Sequence, residues 1–375
     1  MRPAGVDLRA RLLALVAPAA LGDALTEGIV LEDASTELGL RLTLTCEGQR
    51  VHVEVLPPTP DRRYACRTDL WALAYRASSG LDPAVAMRVT RTVADRVAAN
   101  EHAVRLGSTA QSEARIREVT VDRILEPNDG FATLSPYVGC LIGCRFCYAQ
   151  SRLMPLRELL GHAQAPWGSW VDARVNAAEV LARQLRAREP TPIKLCPIVS
   201  DPYHAIERKL RLTRACLQTI ADVAPHTPVL LLTRSDAILD DLPLLRRLPN
   251  LYAGMSVPSA DPEVLAHFEP RAAPPQRRAE VLAALADAGV RTIAVAQPQL
   301  PGSLDDHVAL LAASVQSVSL DVLRGVENAA AQFADPRWSY AATDDWQRTR
   351  LQRLRERLRA AGVAVWSGEL PPGLA

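Results

Sequence analysis

The sequence predicts an α/β protein. A parallel sheet of six strand–helix units runs from about residue 121 to the C-terminus, and a small α+β domain precedes it over residues 1–120. Three observations lead there. Short runs rich in Val, Ile and Leu alternate six times with longer segments of helical periodicity, the order that gives parallel strands with right-handed crossovers. The first part instead holds closely spaced alternating strands and one long helical stretch. The composition, 48% apolar and 23% charged over 375 residues, is that of a globular chain long enough for a large domain and a smaller one. A net charge of +1 points to no polyanionic partner. Seven cysteines, an odd number spread over a long chain, make no small-domain disulfide framework, so a reducing, cytoplasmic setting is expected.

The elements follow in order. Residues 9–22, RARLLALVAPAALG, have the basic start, apolar run and small residues of a signal peptide. The run is short for that purpose, and an amphipathic first helix is expected. No later run reaches the ~18 apolar residues of a membrane span. IVLEDAS, LRLTLTCEG and RVHVEVLPP read as strands, with Leu42, Leu44 and Cys46 set against Val51, Val53 and Val55 in a hairpin turning at Glu47-Gly48. DPAVAMRVTRTVADRVAANEHAVRL reads as a helix with Asp82 as N-cap and Pro83 in its first turn. This part carries no chemical motif, and Cys46 and Cys66 read as ordinary thiols. The six later strands are FATLSPYV, IKLCPIVSD, PVLLLTRS, LYAGMSVPS, RTIAVAQPQLPG and SVSLDVL. The helices after them are VDARVNAAEVLARQLRA, IERKLRLTRACLQTIADV, AILDDLPLLRRL, QRRAEVLAALADAG, LDDHVALLAASV and DWQRTRLQRLRERLRAAG, and VAVWSG can add an edge strand. Six units are fewer than a closed eight-fold barrel needs. A partial barrel and a doubly wound sheet both satisfy the pattern, and both place chemistry at the carboxyl ends of the strands.

Residues 138–150, VGCLIGCRFCYAQ, put Cys140, Cys144 and Cys147 at the carboxyl end of the first of these strands. A closed zinc site would need a fourth donor, and Cys196, Cys216 and His162 are available but not at finger-like spacing. A four-iron cluster is the other thiolate-rich choice. Held by three cysteines, it keeps one iron without a protein ligand, open to a substrate or cosubstrate.

CLIGCRFC, with Phe146 before the last cysteine, resembles the signature of the radical S-adenosylmethionine (SAM) superfamily, and the resemblance extends from about Thr133 to the C-terminus. It implies a partial (βα)6 TIM-type barrel and a [4Fe–4S] cluster on Cys140, Cys144 and Cys147. SAM would sit on the open iron, and its reductive cleavage would give a 5′-deoxyadenosyl radical that removes a substrate hydrogen atom. A flavodoxin- or ferredoxin-type electron donor is implied as partner. SPYVGC, SDPYHAIERKLRLTR, LLTRS, FEPRAAPP and PQLPG are similar to the spore photoproduct lyase branch and its uncharacterised relatives. That similarity implies Ser200, with Asp201 nearby, at the SAM ammonium. It implies Arg234, where the branch usually has lysine, at the SAM carboxylate, with Ser256 adding a hydroxyl.

One position departs from the branch. Ile198 stands where the lyase has the cysteine that returns a hydrogen atom to its product. Cys196 shares a strand face with Ser200 at roughly 13 Å for extended chain, and a packing role is expected for it. His204 and Tyr203 can line a substrate cavity, although a loop histidine is more often exposed, and Glu207 suits a helix start. No cysteine follows Cys216, which excludes a C-terminal auxiliary cluster. The reading favoured is a radical SAM enzyme acting on a peptide or small-molecule intermediate captured by residues 1–120. Nucleic-acid repair and a non-catalytic metal-binding scaffold are the alternatives.

Overall fold

A computed structural model describes residues 8–58, 63–106, 115–159, 165–187 and 191–374. The chain forms two compact units, one of Met1–Val121 with Ala149–Pro166, the other of Asp122–Tyr148 with Trp167–Ala375. His162 lies outside the described residues. No helix among them is long and apolar enough to cross a membrane.

The first unit is an antiparallel sheet with a helix on it. Strands β1 (Ala24–Thr26), β2 (Ile29–Ser35), β3 (Leu40–Cys46), β4 (Gln49–Leu56), β5 (Cys66–Arg67) and β6 (Ala72–Tyr75) are ordered β1-β2-β3-β4-β6-β5. Strict alternation in β3 and β4 buries Leu40, Leu42, Leu44, Val51, Val53 and Val55 on one face. The hairpin pairs Leu42 with Val53 and Leu44 with Val51. It turns where expected, with Glu47 (φ 52°) and Gly48 (φ 73°) both left-handed, as a tight two-residue hairpin turn requires. The helix Pro83–Leu106 lays Val85, Val89, Val93 and Val97 in the same core, four residues apart, with Ala86 beside them. Asp82 Oδ1 accepts the Ala84 N–H at 2.8 Å, the expected cap. Among the described residues the first helix covers Leu8–Leu13, followed by one 3₁₀ turn, and Leu12, Leu15 and Val16 are buried in this core. Strand β7 (Ile116–Val119) follows.

The second unit is the α/β part. Strands β8 (Leu125–Asn128) and β9 (Phe131–Leu134) form a hairpin, and β10 (Tyr137–Val138) pairs antiparallel with β11 (Val171–Arg174). Strands β12 (Ile193–Leu195), β13 (Val229–Thr233), β14 (Leu251–Ser256), β15 (Arg291–Ala296), β16 (Ser317–Leu320) and β17 (Ala364–Trp366) extend β9 in one parallel run. The sheet order is β17-β16-β15-β14-β13-β12-β9-β8, open at both ends, with antiparallel β8 at one edge.

Boundaries differ from expectation where proline or local capping intervenes. FATLSPYV is two strands in two sheets, separated at Ser135-Pro136, where proline has no N–H to continue a ladder. IKLCPIVSD is a strand only as far as Leu195. Pro197 has no N–H for the ladder, and the Ile198 N–H turns back to Cys196 O at 2.7 Å. The extended spacing assumed between Cys196 and Ser200 therefore does not apply. VDARVNAAEVLARQLRA opens as strand β11 and becomes helix only at Ala177–Arg186. IERKLRLTRACLQTIADV is two helices, Glu207–Leu210 and Leu212–Val223, parted by left-handed Arg211.

Candidate metal and cofactor site

The three cysteines occupy the loop after β10. Gly139 has φ 83°, and a Cβ there would meet the Trp170 ring at 2.3 Å. Gly143 has φ 62°, and a Cβ there would lie 2.8 Å from the Gly168 Cα. Only glycine lets the backbone turn and pack this closely at either point. The loop is tied down by Arg145 N–H to Phe268 O at 2.9 Å, Cys147 N–H to Cys144 O at 3.2 Å and Asn328 Nδ2 to Cys147 O at 3.2 Å.

Cys140 and Cys144 are buried and Cys147 half-buried. The Asp201 N–H donates to Cys140 Sγ at 3.5 Å, and Cys144 Sγ lies 3.8 Å from Glu269 Oε1. Burial, with Asp201 adding, pushes the Cys140 thiol up to about 12. Burial also raises the Cys144 thiol well above its ordinary value, with Arg234 opposing and Glu269 adding. The neighbouring thiols add to both shifts. A strongly positive partner is what would hold such groups as thiolates.

Sulfurs on one tetrahedral zinc lie about 3.8 Å apart. Among the described residues, the trio of His, Cys, Asp or Glu groups with ligand atoms within 4.8 Å of one another is Asp69, Glu101 and His102, not the cysteines. There Glu101 already accepts from Thr68 Oγ1 and from the N–H groups of Asp69 and Leu70. The three thiols are therefore not drawn together to the spacing of one tetrahedral ion. Cys196 is engaged elsewhere, its thiol on Leu230 O at 3.6 Å, and Cys216 is fully buried in its helix.

The other expected residues gather on one sheet face. Cys196, Leu230, Leu232, Ile293 and Trp366 form a core cluster together with Ile198, Tyr252, Val295, Leu370 and Leu374. None of these comes from a helix, so this is the face turned away from the helical layer. Register carries the face upward. Thr233 pairs Met255 and Ser256 pairs Val295, so Arg234, Ser256 and Val295 stand side by side one layer above Leu232. The Ser256 hydroxyl is buried with no hydrogen-bond partner, which leaves it for a ligand. Ser200 is buried, its hydroxyl reaching only Asp201 O at 3.4 Å.

The Asp201 carboxylate is filled by donors from the protein itself. Its Oδ1 accepts from Tyr203 N–H at 2.9 Å and Thr233 Oγ1 at 2.5 Å, and its Oδ2 from Arg234 N–H at 2.8 Å. It latches the β12 loop to the end of β13 and, through its own N–H, to Cys140. The Arg234 guanidinium lies 5.9 Å from the Phe146 ring centroid and gives its Nε to Glu269 Oε1 at 2.6 Å. Burial disfavours its charge, but Cys144, Glu269 and Asp201 outweigh that, and Arg234 stays charged. Phe146 is buried beside Phe268 and the cysteines.

Sequence reasoning missed Glu269 and its second partner, Arg278. The signal present was FEPRAAPP, which holds Glu269 without hinting at what it meets. His204 is not exposed. It packs edge-on against Tyr137 at 4.6 Å, both ring nitrogens lack a protein partner, and burial drives its pKa down to about 3. Glu207 does more than start its helix, since it accepts from Thr213 and Arg214 N–H and caps the next one.

Comparison with known proteins adds to this geometry. The Radical SAM superfamily model matches residues 134–313. An uncharacterized protein of Methanocaldococcus jannaschii is 25% identical over 173 residues, covering 46% of this chain and 61% of that protein. An uncharacterized protein of Mycobacterium tuberculosis is 28% identical over 182 residues, covering 46% of this chain and 51% of that protein. The matches thus span roughly half to three-fifths of these relatives' lengths. A structure of spore photoproduct lyase complexed with dinucleoside spore photoproduct aligns over 68% of this chain and 82% of its own, at 14% identity and a TM-score of 0.47. Residues 134–313, which carry the cysteine loop at the carboxyl end of a parallel sheet, thus match the radical SAM superfamily, whose members hold a [4Fe–4S] cluster and SAM.

Proposed function

We propose that this chain reductively cleaves SAM and acts on a peptide or small-molecule intermediate, with Cys140, Cys144 and Cys147 holding the cluster. The observation that carries the reading is the common placement of the thiol loop, Arg234 and the partnerless Ser256 hydroxyl at one end of one sheet face. Once bound, the cluster and SAM would supply one-electron radical chemistry for removing a hydrogen atom from substrate. The protein's own part is to bind and orient. Arg234 receives the SAM carboxylate, Ser256 donates a hydroxyl beside it, and Ser200 accepts from the ammonium. Asp201 holds Arg234 and Cys140 in relation to each other, and Phe146 keeps water from the thiols.

The sheet then serves as a partial (βα)6 barrel with its inner face toward substrate. Residues 1–120 form a separate domain for substrate or partner capture. Arg145, exposed between two of the thiols, and exposed Arg271 offer positive charge to a flavodoxin- or ferredoxin-type donor. Ile198 packs in the apolar inner cluster and offers no thiol for hydrogen return, which favours this reading over thymine-dimer repair.

Anaerobic reconstitution tests the proposal. About four irons per chain are expected, lost on replacing Cys140, Cys144 or Cys147 by Ala, with 5′-deoxyadenosine released from SAM under dithionite. Zinc that resists exchange for iron, or a full cluster that never cleaves SAM, would favour a non-catalytic metal-binding protein.

A further inference from the structure

Glu269 follows the helix Pro262–Phe268 and is fully enclosed, its side chain 0% exposed. Its two oxygens are divided between two arginines, Oε1 taking Arg234 Nε at 2.6 Å and Oε2 taking Arg278 Nη2 at 2.5 Å. Arg278, also 0% exposed, spends its other donors on backbone. Its Nε reaches Ala273 O at 2.7 Å, and its Nη1 reaches Ser256 O at 2.6 Å. The Ala273 N–H returns to Arg234 O at 3.0 Å. The bonds close a ring through Arg234, Glu269, Arg278 and Ala273, with a branch to the end of β14 at Ser256.

We infer that Glu269 is a positioning residue. It grips Arg234 by the Nε alone, and so turns the remaining Nη edge of the guanidinium toward the SAM carboxylate, at a spacing from Ser256 that Arg278 sets. A guanidinium is planar, so fixing one edge fixes the direction of the other donors. The side chain of Arg234 is 14% exposed while both of its partners are sealed, so its open edge is the ring's outlet. The inference rests on the proposed role of Arg234.

The test uses reconstituted enzyme, with SAM affinity read by equilibrium dialysis and by the change SAM causes in the reduced cluster's electron paramagnetic resonance. Glu269→Gln keeps the shape and removes the charge. It should retain iron but bind SAM at least roughly ten-fold more weakly, the scale of a lost charge-assisted bond. Adding Arg234→Ala to it should cost little more, whereas two independent effects would multiply. Wild-type affinity in Glu269→Gln, or multiplying losses, overturns the inference. Wild-type affinity in Arg234→Ala alone overturns the underlying role instead. Should Glu269→Gln fail to hold iron, Glu269→Gln/Arg278→Gln removes both charges of the sealed pair and replaces it in the test, where normal SAM affinity is again the refuting result. If neither variant retains iron and cooperative unfolding, the pair is a folding element and the inference is withdrawn.

Discussion

At Arg234 the question is which property of the side chain matters. A lysine there keeps the positive charge but cannot bind Glu269 through one edge and an anion through the other. Arg234→Lys should therefore bind SAM more weakly than wild type and more tightly than Arg234→Ala, whose loss should be about ten-fold or greater. Dialysis of the three reconstituted proteins gives the order, and equal affinity throughout would place the SAM carboxylate elsewhere. The cysteines were legible in the sequence because their ligand spacing is local, two and three intervening residues in one loop. Glu269 and Arg278 were not, because what defines them is each other and Arg234, which is 35 residues from Glu269 in sequence. Charged residues next to prolines look like surface until the fold encloses them. Asp201 illustrates the same limit, since its position in the motif was readable but the three donors filling its carboxylate were not.

Among the elements, the strands and helices were legible because their periodicity is strong, and their ends were not. Pro136, Pro197 and Arg211 each cut short a run that hydrophobicity alone would continue, and the last depends on a cap, Glu207, that also accepts from Tyr137. The cysteine loop owes its shape to glycine in the same local way. Gly139→Ala would place a methyl group against the Trp170 ring and force an L-residue to φ 83°. A backbone cost of about 1–3 kcal/mol is expected before the clash is counted. The variant should lose iron-binding capacity with a lowered Tm, measured as iron per chain and by thermal unfolding. Full iron content would show that the loop can reshape.

For the molecule as a whole, a sealed histidine links stability to pH. His307 is 0% exposed, its Nε2 on Val257 O at 2.9 Å, and burial lowers its pKa to about 4. Unfolded, it takes up a proton near pH 6.5 while the folded protein does not. Its contribution is thus complete above pH 6.5 and lost progressively as the pH falls toward 4, a loss of about 2 kcal/mol between pH 7 and pH 5. The stability gap between wild type and His307→Gln should narrow by that amount, as read from urea midpoints at the two pH values. A constant gap would show that His307 titrates normally. The parallel sheet also has two outer strands, and each limits its own growth. Strand β17 is three residues long, and β8 carries Pro127, which has no N–H to offer a newcomer. Pro127→Thr would restore a donor on that border. Concentrated samples of the variant should show higher-mass species by light scattering where the wild type does not. On that outcome the proline is a guard against self-association, a role in solution behaviour and not in catalysis.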